Sequence, residues 1–281
     1  MTLIDAHVHV WDTAVLDYPW LTDATGPGPR FLPADIDRAD GQSTRMVFVE
    51  ADALAGQALA EARWVAGLDW PERAGIVAHA DLRAADLSAA LDALQAVPQV
   101  VGVRHLLQGE DAAAWRPDVF AAGLGELGRR GLVFDACVRA GQLDALAQLL
   151  DRAPGTATVL DHLGKPPVDA GIDSAPGRAW RAGIDRVAAL PHVWVKLSGL
   201  AAEASDAASF DRHADGFIAA AIDAFGISRC MIGSDWPVSA RTGAGMTLAD
   251  WVDRVRRVSG TSGAQWDELA ERNAARFYGL D

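Results

Sequence analysis

Apolar runs of strand length recur along the chain: LIDAHVHV (3–10), RMVFVE (45–50), AGIVAHA (74–80), VVGVRHL (100–106), LVFDACV (132–138), TVLDHLG (158–164), VWVKLSG (193–199) and RCMIGSDW (229–236). Between several of them the apolar positions change to helical spacing, as in 53–68, 84–96, 140–152 and 208–225. Strand and helix in alternation call for a parallel sheet, and eight repeats of the pair predict a sheet closed on itself as a (β/α)8 TIM barrel. Turn chemistry agrees with these boundaries: Gly131 precedes the fifth run, Pro191-His192 the seventh, and Gly226 follows the helical stretch before the eighth. Two loop-rich stretches, 12–33 with Gly26-Pro27-Gly28-Pro29 and 163–178 with Pro166-Pro167, follow strand ends, where a barrel receives its active-site loops. No long linker or repeat divides the chain, so residues 1–281 read as one domain.

Composition narrows the partners more than the fold. Half of the residues are apolar and 22% are charged, the balance of a globular chain in water. A formal charge of −13 repels a phosphate backbone and an anionic lipid surface, which argues against nucleic acid and membrane as partners. No apolar run approaches the ~20 residues of a membrane helix. The start, MTLIDAHVHV, shows neither a basic leader nor a signal-length apolar run. Cys137 and Cys230 sit in separate strand-like runs as buried thiols, so a cytoplasmic location is the expectation. A small molecule is the expected partner, with a homo-oligomer left open.

An open doubly wound sheet would carry a glycine-rich phosphate turn after its first strand, and that position holds His-Val-His instead. GxGxxG, GxxxxGK and GxSxG are all absent, so nucleotide binding and serine hydrolysis lack their usual support. Residues two apart in a strand share a side, so His7 and His9 present two imidazoles together. An isolated HxH is as often a hydrogen-bonded pair as a ligand pair. Recurrence decides between the readings. Glu50 ends the second run, Arg104 and His105 lie near the end of the fourth, Asp135 lies in the fifth, His162 ends the sixth and Asp235 the eighth. Barrel strands converge there, and imidazoles with carboxylates suit zinc, manganese or iron.

Asp235 stands at the lip of a buried strand, and Trp236-Pro237 makes a poor helix opening for it to cap. Arg104 is a strand cation in an acidic protein, either an ion-pair partner or a clamp for a substrate carbonyl or carboxylate. Lys196 carries the same two readings. Glu50 is a ligand, a base or a partner orienting a histidine. For His79 and His105 packing and ligation stay equally open, whereas His192 and His213 read as solvated. Most of the tryptophans fall at helical spacing or in loops; Trp20, in DYPWL, is the candidate roof of a pocket.

These residues resemble the amidohydrolase superfamily across essentially the whole chain. DAHVHVWD, DYPWL, GVRHLLQ, LDHLGKP, VKLSGL and IGSDWPV are similar to its lactonase branch, which includes sugar lactonases and 2-pyrone-4,6-dicarboxylate lactonase. The resemblance implies that His7, His9, His162 and Asp235 form the site, that Asp235 activates water, and that Arg104 contacts the substrate. Glu50, His105, Asp135, Trp20 and Lys196 are then the candidate substrate contacts, and the substrate is a small lactone. Binuclear relatives use a carboxylated lysine on strand four, where VVGVRHLLQ has none, and strand five lacks the usual ligand histidine. The implied cofactor is one divalent ion, zinc or manganese, and metal-independent catalysis stays open. A metal-dependent non-oxidative decarboxylase and a catalytically idle binding barrel are the alternatives.

Overall fold

The computed structural model describes residues 2–21 and 27–280; residues 22–26 of the first loop, including Gly26, lie outside them. Eight strands form one sheet in sequence order: β1 (Leu3–Val8), β2 (Ser43–Val49), β3 (Arg73–His79), β4 (Val100–Leu106), β5 (Val133–Cys137), β6 (Thr158–Leu160), β7 (Val193–Leu197) and β8 (Cys230–Ile232). Each neighbouring pair is parallel. The first and last strands meet just beyond their ends, where a bridge joins Val8 to Trp236, His9 N–H donates to the Trp236 carbonyl (2.8 Å) and Asp235 N–H to the His7 carbonyl (2.8 Å). The sheet therefore closes as the (β/α)8 barrel that the alternating pattern predicts, and it closes beside the candidate site residues His7, His9 and Asp235.

Helices α1 (Ala58–Ala66), α2 (Leu87–Gln95), α3 (Pro117–Arg129), α4 (Leu143–Leu150), α5 (Ala175–Ala188) and α6 (Ala207–Phe225) cover the outside, joined by Leu248–Ser259 and the segment ending in Asn273–Tyr278. The stretch read as a loop to 178 turns helical at Ala175. There the Ser174 hydroxyl accepts the Gly177 N–H (3.0 Å) and Pro176 occupies the first turn, a start in which proline loses no hydrogen bond. No helix among the described residues is long and apolar enough to cross a membrane.

Two apolar layers hold the barrel. The larger lies between strands and helices and includes Val8, Phe48, Phe120, Phe134, Val195 and Ile232. The smaller fills the interior with Ile4, Ala6, Val47, Val77, Val133, Val159 and Met231, and the C-terminal Phe277, Tyr278 and Leu280 pack against it. β1 changes sides between these layers: Ile4 and Ala6 belong to the interior, while Val8 and Val10 pack outside. Unbroken alternation from Ile4 would send His7 outward with Asp5. A register irregularity between Asp5 and Val8 resets the alternation and turns His7 and His9 inward.

Candidate active site

Four side chains from three strand ends converge. His7 Nε2 lies 3.1 Å from His9 Nε2, and Asp235 Oδ1 faces the Nε2 atoms of His9, His162 and His7 at 3.5, 3.6 and 3.8 Å. The opposite atom of each group is fixed from behind. His9 Nδ1 donates to the Val49 carbonyl (2.8 Å), His162 Nδ1 meets the Ser198 hydroxyl (2.9 Å), His7 Nδ1 lies 3.3 Å from Asp161 Oδ1, and Asp235 Oδ2 accepts from Ser239 Oγ (2.7 Å). Such outer contacts orient imidazoles and carboxylates toward a common centre.

The backbone holds these side chains in sparsely populated conformations. Asp235 (φ 56), His162 (φ 53), Lys165 (φ 50) and Asp52 (φ 58), all lining one cavity, adopt the left-handed region that non-glycine residues avoid at about 1–2 kcal/mol each. Strain of this kind persists only where packing over-determines it. Glycine makes the close approach possible: a Cβ on Gly199 (φ +73) would lie 2.3 Å from His162 Nδ1, and one on Gly233 would lie 2.7 Å from His7 Cβ.

The cavity, about 180 Å3, is lined by His9, Trp20, Asp52, Arg104, Gln108, Cys137, His162, Lys165 and Asp235 with smaller apolar groups. Arg104 is buried, with Nε on Glu50 Oε1 (2.5 Å), NH2 on the Glu50 carbonyl and NH1 3.5 Å from Asp161 Oδ2. Lys165 Nζ sits 3.1 Å from Glu203. Trp20 donates its indole N–H to the Ala51 carbonyl (2.7 Å), which fixes it at the cavity wall. Burial opposes ionisation of Asp235, yet His162, His9 and His7 outweigh it and hold the carboxyl below the usual carboxylate range. Burial lowers the His162 imidazole to about 4, and burial with the charge of Lys196 holds His7 well below its ordinary value. At neutral pH these groups present an ionised carboxylate and uncharged imidazoles. Burial pushes the Cys137 thiol up to about 11, so it lines the cavity as a thiol.

The candidate substrate contacts divide. Trp20 and Arg104 reach the cavity, and Glu50 stands behind Arg104 as its carboxylate partner. His105 does not reach it: it follows Arg104 in a strand, alternation sends it to the opposite face, and its ring packs 5.1 Å from Phe120 of α3. Its nitrogens meet Leu82 N–H, Arg83 and Glu110. Asp135 and Lys196 face inward but lie a layer too deep, since Cys137 and Ser198, two residues further along, occupy the level of the site. They pair with each other at 2.5 Å, fully buried. Of the remaining histidines, His79, His192 and His213 are partly exposed and none lines the cavity. Sequence reasoning passed over Asp161, which touches His7, Arg104 and Lys196 at once. Its signal was parity, because it follows the inward Val159 by two. Lys165 and Gln108 were missed because they stand in loops whose course depends on the closed barrel.

The donor set fits one divalent cation. Tetrahedral zinc, at ~2.0–2.1 Å from imidazole nitrogen, sets its ligands about 3.4 Å apart. Four of the six separations among the inward atoms, 3.1 to 3.8 Å, bracket that edge, and His7, His9 and Asp235 form a group whose ligand atoms all lie within 4.8 Å of one another. Charge agrees, because the buried carboxylates around the histidines, Asp5, Glu50, Asp135, Asp161 and Asp235, outnumber the buried cations Arg104 and Lys196. For a second ion, the fourth strand supplies Arg104, itself a cation, and not a bridging anion.

Known proteins resemble this chain along its whole length. The chain is 34% identical over 285 residues to a Burkholderia multivorans protein named L-fucono-1,5-lactonase, covering 99% of this chain and 96% of that one. A crystal structure of an amidohydrolase from Burkholderia multivorans with bound zinc superposes with a TM-score of 0.88 at 34% identity over 100% of both chains. A 2,6-dihydroxybenzoate decarboxylase from Rhizobium shares the fold, with a TM-score of 0.61 at 15% identity, over 100% of this chain and 99% of that one. The Amidohydrolase family matches residues 4–280, and with that span and those relatives the chain belongs to the amidohydrolase family.

Proposed function

We propose that this protein is a lactonase that opens a small, uncharged sugar-type lactone. The observation that carries the reading is Asp235: one carboxylate oxygen is anchored by Ser239 and the other is aimed at three imidazoles in a cavity sized for a small ring. The named relative supports the substrate class. So does the charge of the cavity, since Arg104 is neutralised by Glu50 and Asp161 and Lys165 by Glu203, so that neither lining cation among the described residues is left bare to recruit a carboxylated substrate.

In the reaction, water attacks the ring carbonyl carbon while Asp235 takes a water proton. The oxygen that becomes negative meets N–H donors of Arg104 beyond those spent on Glu50. Asp235 then returns the proton to the ring oxygen as its bond to carbon breaks, leaving a hydroxy acid. His7, His9, His162 and Asp235 would hold a divalent ion, which would supply electrophilic polarisation and make water easier to deprotonate. The polar groups of Asp52, Gln108 and Lys165 also line the cavity, and ring hydroxyls would be their partners.

A pH-indicator assay across sugar δ- and γ-lactones, aliphatic lactones and carboxylated pyrones tests this, run on protein of measured metal content. Sugar lactones are expected to turn over fastest. A panel without turnover, or carbon dioxide release from a hydroxybenzoate, would replace the reading.

A further inference from the structure

The buried pair Lys196 and Asp161 faces one atom, His7 Nδ1, with a donor on one side and an acceptor on the other. Lys196 Nζ lies 3.1 Å from that nitrogen and Asp161 Oδ1 3.3 Å from it. Lys196 is itself held in place. Its Nζ is 2.5 Å from Asp135 Oδ2 and 3.0 Å from Asp161 Oδ1, and the Tyr278 hydroxyl donates to Asp135 from below (2.9 Å). The ammonium thus has hydrogen-bond partners in Asp135 and His7 and an ion-pair partner in Asp161, whose buried carboxylate oxygens are left without a hydrogen bond.

Hydrogen-bond accounting then allows two proton arrangements. The Val49 carbonyl can only accept, so His9 carries a proton on Nδ1, and the imidazole with that single proton has a bare Nε2. In the first arrangement Lys196 donates to His7 Nδ1 and His7 Nε2–H donates across 3.1 Å to His9 Nε2, so every group in the chain from Tyr278 to Val49 has a partner. In the second, His7 carries its proton on Nδ1 toward Asp161, and both Nε2 lone pairs turn toward the point faced by His162 and Asp235. Two bare nitrogens at 3.1 Å repel each other unless a cation stands between them.

We propose that Lys196 and Asp161 are positioning residues that choose the tautomer of His7, Lys196 favouring the Nε2–H form and Asp161 the Nδ1–H form that a metal requires. Binding of a divalent ion therefore moves the His7 proton from Nε2 to Nδ1, and Lys196 acts as a brake on metal affinity while Asp161 promotes it. This rests on the single-ion site described above and not on which substrate the enzyme opens.

Long-range 1H–15N correlation spectra of the imidazoles, recorded on the full chain after chelator dialysis and again with one equivalent of zinc, read the tautomer directly. His7 is expected as Nε2–H before zinc and Nδ1–H after. The same His7 tautomer in both samples, or no zinc binding at all, overturns the proposal. Chelator competition adds a second readout: Asp161→Asn should weaken zinc by about 10–100-fold, whereas the charge-balanced double variant Lys196→Met with Asp135→Asn should bind zinc more tightly than wild type and show Nδ1–H without it. A double variant that folds by circular dichroism yet binds zinc no tighter than wild type removes Lys196 from the role. None of these readouts uses lactone turnover, so a failed lactone panel leaves the tautomer result standing.

Discussion

The two ends of the barrel interior are built on opposite rules. The lower part is apolar, with Ile4, Val47, Val133, Val159 and Met231 closed off by Phe277 and Leu280. The upper end concentrates buried carboxylates, cations and imidazoles, and holds Asp235, His162, Lys165 and Asp52 at positive φ. Between them lies a layer of paired charges, Asp135 with Lys196 and Tyr278. The contrast shows how the site is tolerated: well-packed interior strands fix the geometry that strained and desolvated groups above them could not maintain alone.

Breaking each part should give a different signature, and the largest effect belongs to the upper end. Asp235→Asn keeps the shape but cannot accept a proton, so kcat should fall by about 10^3-fold or more with an unchanged circular dichroism spectrum; near-wild-type kcat in a folded variant removes Asp235 from the chemistry. Arg104→Met leaves Glu50 buried and unpaired, and is expected to cost about 3–5 kcal/mol in denaturant unfolding as well as activity. A loss of activity with full stability would show that Arg104 serves substrate alone. Gly199→Ala drives a methyl against His162 Nδ1; it should lower Tm by several degrees and weaken zinc binding together, and a variant changed in neither shows that the loop relaxes freely. In the lower half, Met231→Ala should cost about 2–5 kcal/mol through its cavity while KM stays put. The smallest effect is expected at the exposed Asp118–Arg152 pair, where Asp118→Ala should move stability by about 1 kcal/mol or less and leave turnover unchanged.

The barrel was legible because eight apolar runs alternate with helical periodicity, a pattern that local sequence carries in full. Convergence on the cavity was legible where a polar residue ends an apolar strand, as with His162 and Asp235. It failed where the side of the strand mattered: His105 is as polar as Arg104 but one residue on, and Asp135 and Lys196 share the inward face yet sit a layer low. The HxH pair points inward only because β1 shifts register after Asp5, which no single-strand pattern reveals. Tyr278 reaches Asp135 from a segment 143 residues away, and that contact exists only once the barrel has closed.

The central claim is that His7, His9, His162 and Asp235 make one hydrolytic centre for a single ion. The initial rate of sugar-lactone opening, followed as zinc is added to chelator-dialysed protein with elemental analysis of each sample, tests it most directly. The rate is predicted to rise linearly and break at one equivalent per chain. A full rate before any zinc is added, or a break at two equivalents, would contradict it.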